Sequence, residues 1–441
     1  MKIFRQPERK MMKKNIIGLI LCAYFSTLPA WSATEKTTPA TTQKSASTTQ
    51  KSTTPPKTTT PTKQPTNPQN TPAKPAAVLD SVRKKIQTKD IAASAYLVMD
   101  MQSRQILASK NADKKIEPAA LTQLMTAYLV FQALNEGKIK PEQELTVSEH
   151  AWQSEGSRMF LMKEKPVAVR ELVLGLIVSS GNDAAITLAE AISGSEEAFV
   201  EQMNTQAAKL GMVDTHFANA TGVSADNHLS TANDLVTLAG ALSRDFPDYY
   251  KIFAEKSFSY HGITQPNRNL LLYRDNYVDG LKAGYSQNAG YHLIASSHRN
   301  GRRVISVLLG AASTEARATE SSKLLNYALQ QFDTFKLYDA NQAVMSVRVY
   351  KGNKGKVQLG FLNDAYATLP YGVTDFSTEL ETEQPLLPPI KKGQVLGTLT
   401  LKKDNKTLTQ MPIVALYDVN NAGFFGKIWG SLGLWWHELF D

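Results

Sequence analysis

The chain of 441 residues is 42% hydrophobic and 20% charged, apolar enough to bury the cores of two or three domains, which excludes a wholly disordered protein. Its net charge of +9 sits at the start: residues 1–33 and residues 34–77 each hold six basic side chains and one acidic, leaving the remainder near neutral. A near-neutral body has no electrostatic footprint for a nucleic-acid backbone, and the lone Cys22 excludes an intrachain disulfide framework or a Cys-ligated zinc site.

Basic residues from Lys2 to Lys14 precede an apolar run at 16–25, followed by small residues at Ala30, Ser32 and Ala33. That is the layout of a secretory signal peptide over residues 1–33, with an apolar run shorter than the roughly 20 residues a membrane span needs. The mature chain is therefore expected to be exported and free of cysteine. Residues 34–77 are rich in Thr, Pro and Lys and contain no Val, Leu, Ile, Met or aromatic residue. Nothing there repays the entropy of folding, so a disordered linker is expected, reaching on the order of 130 Å when fully extended.

Ordered sequence is expected from Val78 onward. Residues 95–100 and 105–108 read as a strand pair. Pro118 opens a helical pattern over 119–135 that Gly137 closes, and further helical patterns cover 167–177, 182–192 and 196–210, the last ended by Gly211. Residues 293–297 and 304–309 flank Asn300-Gly301, a strong hairpin signal. Strands first, helices in the middle and strands last predict an α/β (α+β) domain over 78–338, its sheet packed against a helical cluster. Beyond Asp339 the pattern alternates at 344–350, 357–361, 395–401 and, after an Asp404-Asn405 turn, 413–417. This predicts a small all-β domain over 339–420, read as a spacer or a partner-binding module.

The tail, 421–441, forms an amphipathic helical pattern. Phe425, Ile428, Trp429, Leu432, Trp435, Trp436 and Leu439 share one side of the helical wheel, while Lys427, Ser431, His437 and Glu438 lie opposite. Gly426, Gly430 and Gly433 weaken this helix in isolation, so it is expected to form on a membrane surface as an in-plane anchor.

Serine acyl transfer needs a nucleophilic hydroxyl, a base for its proton, donors for the oxyanion and a cationic contact for a substrate carboxylate. Three segments have suitable surroundings: Glu117-Pro118-Ala119-Ala120-Leu121-Thr122-Gln123 at a helix start, Ser179-Ser180-Gly181-Asn182-Asp183 entering another helix, and Asp279-Gly280-Leu281-Lys282-Ala283-Gly284 in a strand. Their order and spacing resemble the penicillin-binding, serine-type D-alanyl-D-alanine carboxypeptidases of low molecular mass, whose signatures are S-x-x-K, S-x-N and K-T-G. Residues 156–161, 266–269 and 310–321 with Arg317 are similar too, and the likeness runs from about Val78 to the C-terminus. The resemblance implies a β-lactamase/transpeptidase-like fold, a role in peptidoglycan metabolism, a D-Ala-D-Ala stem peptide as ligand, and a place on the periplasmic face of the inner membrane.

The sequence departs from the family at the chemistry itself. Ala120 stands at the nucleophile position, Gln123 at the lysine position and Ala283 at the threonine of the third signature; Ser180, Gly181, Asn182, Lys282, Gly284 and Arg317 are retained. An alanine methyl forms no acyl ester, so the expected protein is a non-hydrolysing member that binds stem peptides or acts as a scaffold. The alternatives are an active carboxypeptidase using Ser180 with Lys282 as its activator, or a structural protein that recruits a partner through the β-module. Taken alone, Ser180 and Asn182 read as helix caps. His150, His216 and His292 read as structural, and the sequence gives no sign of a metal or cofactor.

Overall fold

The computed structural model describes residues 90–423 apart from Glu383. The leader, the linker, residues 78–89 and the anchor side chains from Phe425 to Leu439 lie outside the described residues. Strands β1 (Ala95–Asp100) and β2 (Ile106–Lys110) pair as a hairpin. With β3 (Val278–Ser286), β4 (Gly290–Arg299) and β5 (Arg302–Ala311) they form an antiparallel sheet in the order β2-β1-β5-β4-β3. Asn300 and Gly301 close the β4–β5 hairpin at φ +51° and +77°, the left-handed pair that matches strand twist in a two-residue turn.

Side chains alternate across the pleat, and both faces of this sheet are apolar. Leu97, Leu281, Ile294 and Val307 enter one core, whereas Tyr96, Ala295, Val304 and Leu308 enter a second. The first face receives α1 (Gln123–Asn135), α2 (Val169–Leu174), α3 (Asn182–Ser193), α4 (Glu196–Leu210) and α5 (Ala232–Asp245). Helix α1 is buried on nearly every side, which is why its sequence shows no polar stripe. After the short helix α6 (Leu271–Arg274), the second face is covered by α7 (Thr314–Gln331). Only Ala318, Leu324, Leu325 and Ala328 of α7 are buried apolar residues, too sparse a pattern to have marked it in the sequence.

Two expected helices are altered where they approach one another. Residues 119–122 form a tighter 3-10 turn, so α1 proper starts at Gln123. The pattern at 167–177 divides into a short strand, helix α2 and a wide π-helical turn, Gly175–Ser179. Ser180 then adopts the left-handed region at φ +56° and redirects the chain into α3.

The β-module begins pairing at Phe332. Strand β6 (Phe332–Tyr338) precedes β7 (Ala343–Arg348), β8 (Lys356–Gly360) and β9 (Ala365–Pro370), and β6 pairs with β9. With β10 (Ser377–Thr382), β11 (Val395–Lys403) and β12 (Lys406–Ala415), the other strands form a sheet in the order β7-β8-β12-β11-β10 around Val357, Leu359, Leu399, Leu401 and Ile413. The strand expected at 413–417 starts instead at Lys406, because Asp404 and Asn405, both at positive φ, reverse the chain at once.

A buried polar junction joins this module to the larger sheet. Asp100, fully buried, accepts from Arg302 Nε at 2.6 Å and from the Thr334 hydroxyl at 2.7 Å. Arg302 also donates to the Phe332 carbonyl at 2.6 Å, and Gln105 accepts from the Thr368 backbone N–H at 2.6 Å while donating to Thr409 at 3.1 Å. Removing one partner of a buried ion pair strands the other, so Asp100→Asn is expected to lower unfolding stability by about 3 kcal/mol. The double change Asp100→Leu/Arg302→Met should cost less than the single one in urea denaturation; equal losses would mean that an unpaired Arg302 carries no penalty.

Candidate functional site

Ala120 lies in the 3-10 turn that Ala119 launches from φ +49°. One turn on, the Gln123 side chain is buried at 1% exposure, and its Nε2 faces Asn182 Oδ1 at 2.9 Å, the Thr221 carbonyl at 3.2 Å and the Ser180 carbonyl at 3.3 Å. An amide nitrogen carries two hydrogens, so it cannot serve three acceptors fully, and Gln123 Oε1 is buried with no donor. The surroundings suit an ammonium's three N–H groups better than an amide. Thr122 points away from this cluster and meets His228 Nε2 at 2.8 Å.

Each acceptor is placed by its own local device. Asn182 opens α3 and donates its Nδ2 to the Glu155 carbonyl at 2.6 Å. Thr221 belongs to a turn in which Asn219 Oδ1 accepts from the backbone N–H groups of Thr221 and Gly222. Gly222, at φ +89°, presses against the Ala119 carbonyl so closely that a Cβ would collide with it. Sequence reading missed this loop because it carries no reactive side chain; the Asn219-to-Gly222 turn spacing was the available signal. It also missed Asp183 as a brace, whose two carboxylate oxygens accept from the backbone N–H groups of Met159 and Leu161 at 3.0 Å each.

Strand β3 supplies the opposite wall. Lys282, 3% exposed, donates to the carbonyls of Leu176 at 2.6 Å and Ile177 at 3.0 Å in the π-helical turn. Burial, and then the nearby Arg268 charge, hold its pKa well below the ordinary lysine value. Gly284 lies against the start of α1's approach, where a Cβ would reach 3.3 Å from the Pro118 carbonyl and 3.4 Å from the Ala120 nitrogen. Arg317, 5% exposed, donates to the carbonyls of Gly284 at 2.9 Å and Arg268 at 3.3 Å. Its guanidinium lies 5.6 Å from the Tyr291 ring, which packs on Tyr285 at 4.5 Å, and burial followed by the Arg268 charge lowers its pKa to about 10.

These elements enclose an open cavity of about 780 Å³. Ala120, Ser180, Ala283, Gly284 and Arg317 line it, together with Ser157, Asn267, Arg268, Tyr273, Tyr285 and Tyr291. Gln123, Gly181, Asn182 and Lys282 are not part of the lining and brace it from behind. Two guanidiniums and no carboxylate face the cavity, so its chemistry favours an anionic ligand. Ala120 presents only a methyl to the cavity.

The histidines take other tasks. His150 pairs with Glu190 at 3.2 Å and Glu196 at 3.5 Å, His216 contacts the Asn227 carbonyl at 3.3 Å, and His292 Nδ1 accepts from the Gly310 N–H at 3.0 Å. Among the described residues no cluster of three or more His, Cys, Asp or Glu could hold a metal ion.

Residues 82–313 match the family described as "D-alanyl-D-alanine carboxypeptidase", and residues 332–421 match "Penicillin-binding protein 5, C-terminal domain". The D-alanyl-D-alanine carboxypeptidase DacC of Escherichia coli (strain K12) is 38% identical over 369 residues, covering 82% of this chain and 92% of the relative. DacA of Haemophilus influenzae is 39% identical over 358 residues, or 80% and 91% of the two chains. Among solved structures, penicillin binding protein 5 from H. influenzae superposes with a TM-score of 0.71 at 38% identity, covering 76% of this chain and all of that one. Penicillin binding protein 6B from E. coli gives 0.62 at 34% identity, covering 75% and 97%.

Because three acceptors converge on one side chain, Gln123→Leu is expected to lose about 3 kcal/mol in chemical denaturation, whereas Gln123→Lys should stay within about 1 kcal/mol of the parent. If both lost stability equally, the surroundings would not be matched to an ammonium. Stability should also fall with acid. Burial depresses His228 and His292 from 6.5 to about 4, so the unfolded chain binds more protons between those values and folding weakens as pH drops through them. Each imidazole contributes about 3 kcal/mol of this loss by pH 4, and His228→Gln should flatten the pH dependence of the melting temperature accordingly.

Proposed function

This chain belongs to the D-alanyl-D-alanine carboxypeptidase family of penicillin-binding proteins, which act on D-Ala-D-Ala stem peptides of peptidoglycan, and we propose that it binds such peptides without hydrolysing them. The observation that carries this reading is Ala120 at the nucleophile position, one turn from a Gln123 amide standing in a cage of three acceptors. Loss of the nucleophile in a comparable serine hydrolase lowers turnover by ~10⁶. Binding depends on other groups. Arg317 offers a cation to the terminal carboxylate, and Ala283 and Gly284 an edge strand to the peptide backbone; Ser180, Gly181, Asn182 and Lys282 hold these walls in register.

Retained strain supports the same reading. Ala119 at φ +49° and Ser180 at φ +56° are non-glycine residues in the left-handed region, a conformation that costs on the order of 1–3 kcal/mol each. Nothing in the local sequence demands it; the shape of the groove does. In this reading the leader exports the chain, the aromatic tail holds it on the periplasmic face of the inner membrane, and the β-module serves as a spacer or partner site. A Ser180 nucleophile is disfavoured because Lys282, its expected activator, donates instead to Leu176 and Ile177.

The test combines labelled penicillin, D-alanine release and equilibrium binding of a D-Ala-D-Ala peptide. The parent protein should bind the peptide, remain unlabelled and release no D-alanine. The triple change Ala120→Ser/Gln123→Lys/Ala283→Thr should become labelled and active, while Ala120→Ser alone stays weak for want of a base, since groups that act as a unit are not additive. Labelling of the parent that disappears in Ser180→Ala would establish an enzyme instead. A folded triple variant that neither labels nor binds peptide would leave only a scaffold.

A further inference from the structure

The loop that supplies Gly156 and Ser157 to the groove continues into Arg158-Met159-Phe160-Leu161. Phe160 stands at φ +68° with its side chain 48% exposed. Among the described non-glycine residues at positive φ it is the only one with a large apolar side chain, in a conformation that Asn and Asp tolerate far better. Asp183 accounts for the turn: the N–H groups of Met159 and Leu161 converge on its two oxygens at 3.0 Å each, and both of those side chains are buried. The residue between the two anchors is turned outward and held there. This clamp demands the backbone conformation but not the phenylalanine, since glycine or asparagine would meet it at lower cost. An apolar ring kept half in water at a strained position is a ring presented to a ligand.

The loop is fixed to the groove on both sides. The Ser157 carbonyl accepts from the Asn182 N–H at 2.7 Å, and the Arg158 carbonyl accepts from Gln265 Nε2 at 2.9 Å, directly before Pro266, Asn267 and Arg268 of the lining. The exposed tyrosines of the groove are otherwise engaged, Tyr285 on the Tyr291 ring and Tyr273 through a hydroxyl that donates to the Lys256 carbonyl. Phe160 has only the Arg158 guanidinium near its ring, at 5.9 Å, the outer limit of such contacts among the described residues. A peptide longer than two residues, seated with its carboxylate on Arg317, has to leave the groove over one of its rims. We propose that it leaves over this one, and that Phe160 is a specificity-determining residue on which the aliphatic side chain of the residue before D-Ala-D-Ala packs. Phe160 in that role presupposes the stem-peptide reading of the groove and extends the contact beyond the terminal pair.

The experiment titrates the full-length chain with N-acetyl-L-norleucyl-D-Ala-D-Ala and N-acetyl-glycyl-D-Ala-D-Ala, which share a backbone and differ by one butyl side chain. The norleucyl peptide should bind about tenfold more tightly. Phe160→Asn and Phe160→Gly place residues suited to the left-handed region and should fold; each should bring the norleucyl peptide to the affinity of the glycyl one, whereas Phe160→Tyr should keep the preference. A merely structural role would weaken both peptides together and leave their ratio unchanged. Arg317→Gln should weaken both and preserve the ratio, and a norleucyl peptide ending in L-Ala-L-Ala should not bind. If the glycyl peptide binds through Arg317 and the norleucyl peptide is no tighter, or if the preference survives Phe160→Asn and Phe160→Gly, Phe160 is not the determinant and the stem-peptide reading still stands. If neither peptide binds the folded parent, both readings fall. Comparable binding of the L-Ala-L-Ala peptide would show mere adhesion to an exposed ring and overturn the proposal.

Discussion

One amide nitrogen ties together three pieces of this molecule that are built separately. Gln123 Nε2 reaches the carbonyl of Ser180 at the end of the π-helical turn, the side chain of Asn182 at the head of α3, and the carbonyl of Thr221 in the Asn219-capped turn. Asn182 passes the restraint on to Glu155 and so to the loop whose Gly156 and Ser157 line the cavity. A neutral amide performs this tie less well than an ammonium, with one acceptor under-served and Oε1 unmet, a deficit of about 1–3 kcal/mol. It nonetheless keeps a donor in place. That donor holds the π-helical turn, the head of α3 and the Asn219-capped turn in one arrangement.

The remaining cations explain what the groove still prefers. Lys282 and Arg317 are almost wholly buried, and their recorded hydrogen-bond partners are neutral carbonyls. A buried cation without a counter-charge is costly, and both pKa values fall in response. Arg317 faces the open cavity, so an anion seated there offsets a charge that the protein leaves uncompensated. The charge that faces the groove therefore comes from Arg317 and Arg268, whereas Ala120 and Gln123 are neutral.

Much of this was legible in the sequence because the signals were local. Asn300-Gly301 specified its hairpin, Gly211 ended α4, and the three motif segments pointed to walls of the groove through their resemblance to the family's signatures. What escaped was set by distant contacts. The 3-10 turn at Ala119–Thr122 and the π-helical turn at Gly175–Ser179 look helical residue by residue; the first lies where Gly222 and Gly284 press on it, and the second where Lys282 takes its carbonyls. Helix α7 packs through four small or aliphatic residues in eighteen.

The larger sheet also separates what its two ends do. Pairing places Tyr285 opposite Tyr291 and Tyr291 opposite Ala311 at the groove end, whereas Val304 pairs with Asp100 and Ser297 at the other. From Gly284 to Val278 along β3 is roughly 20 Å at the rise of an antiparallel strand. The β-module is joined at the far end, where Asp100, Arg302 and Thr334 are linked by short, buried hydrogen bonds. Its side chains therefore cannot take part in chemistry at the groove, yet it cannot swing freely beneath it either. A module fixed by a buried charge pair to the end of a stiff sheet stays at a set distance from the groove.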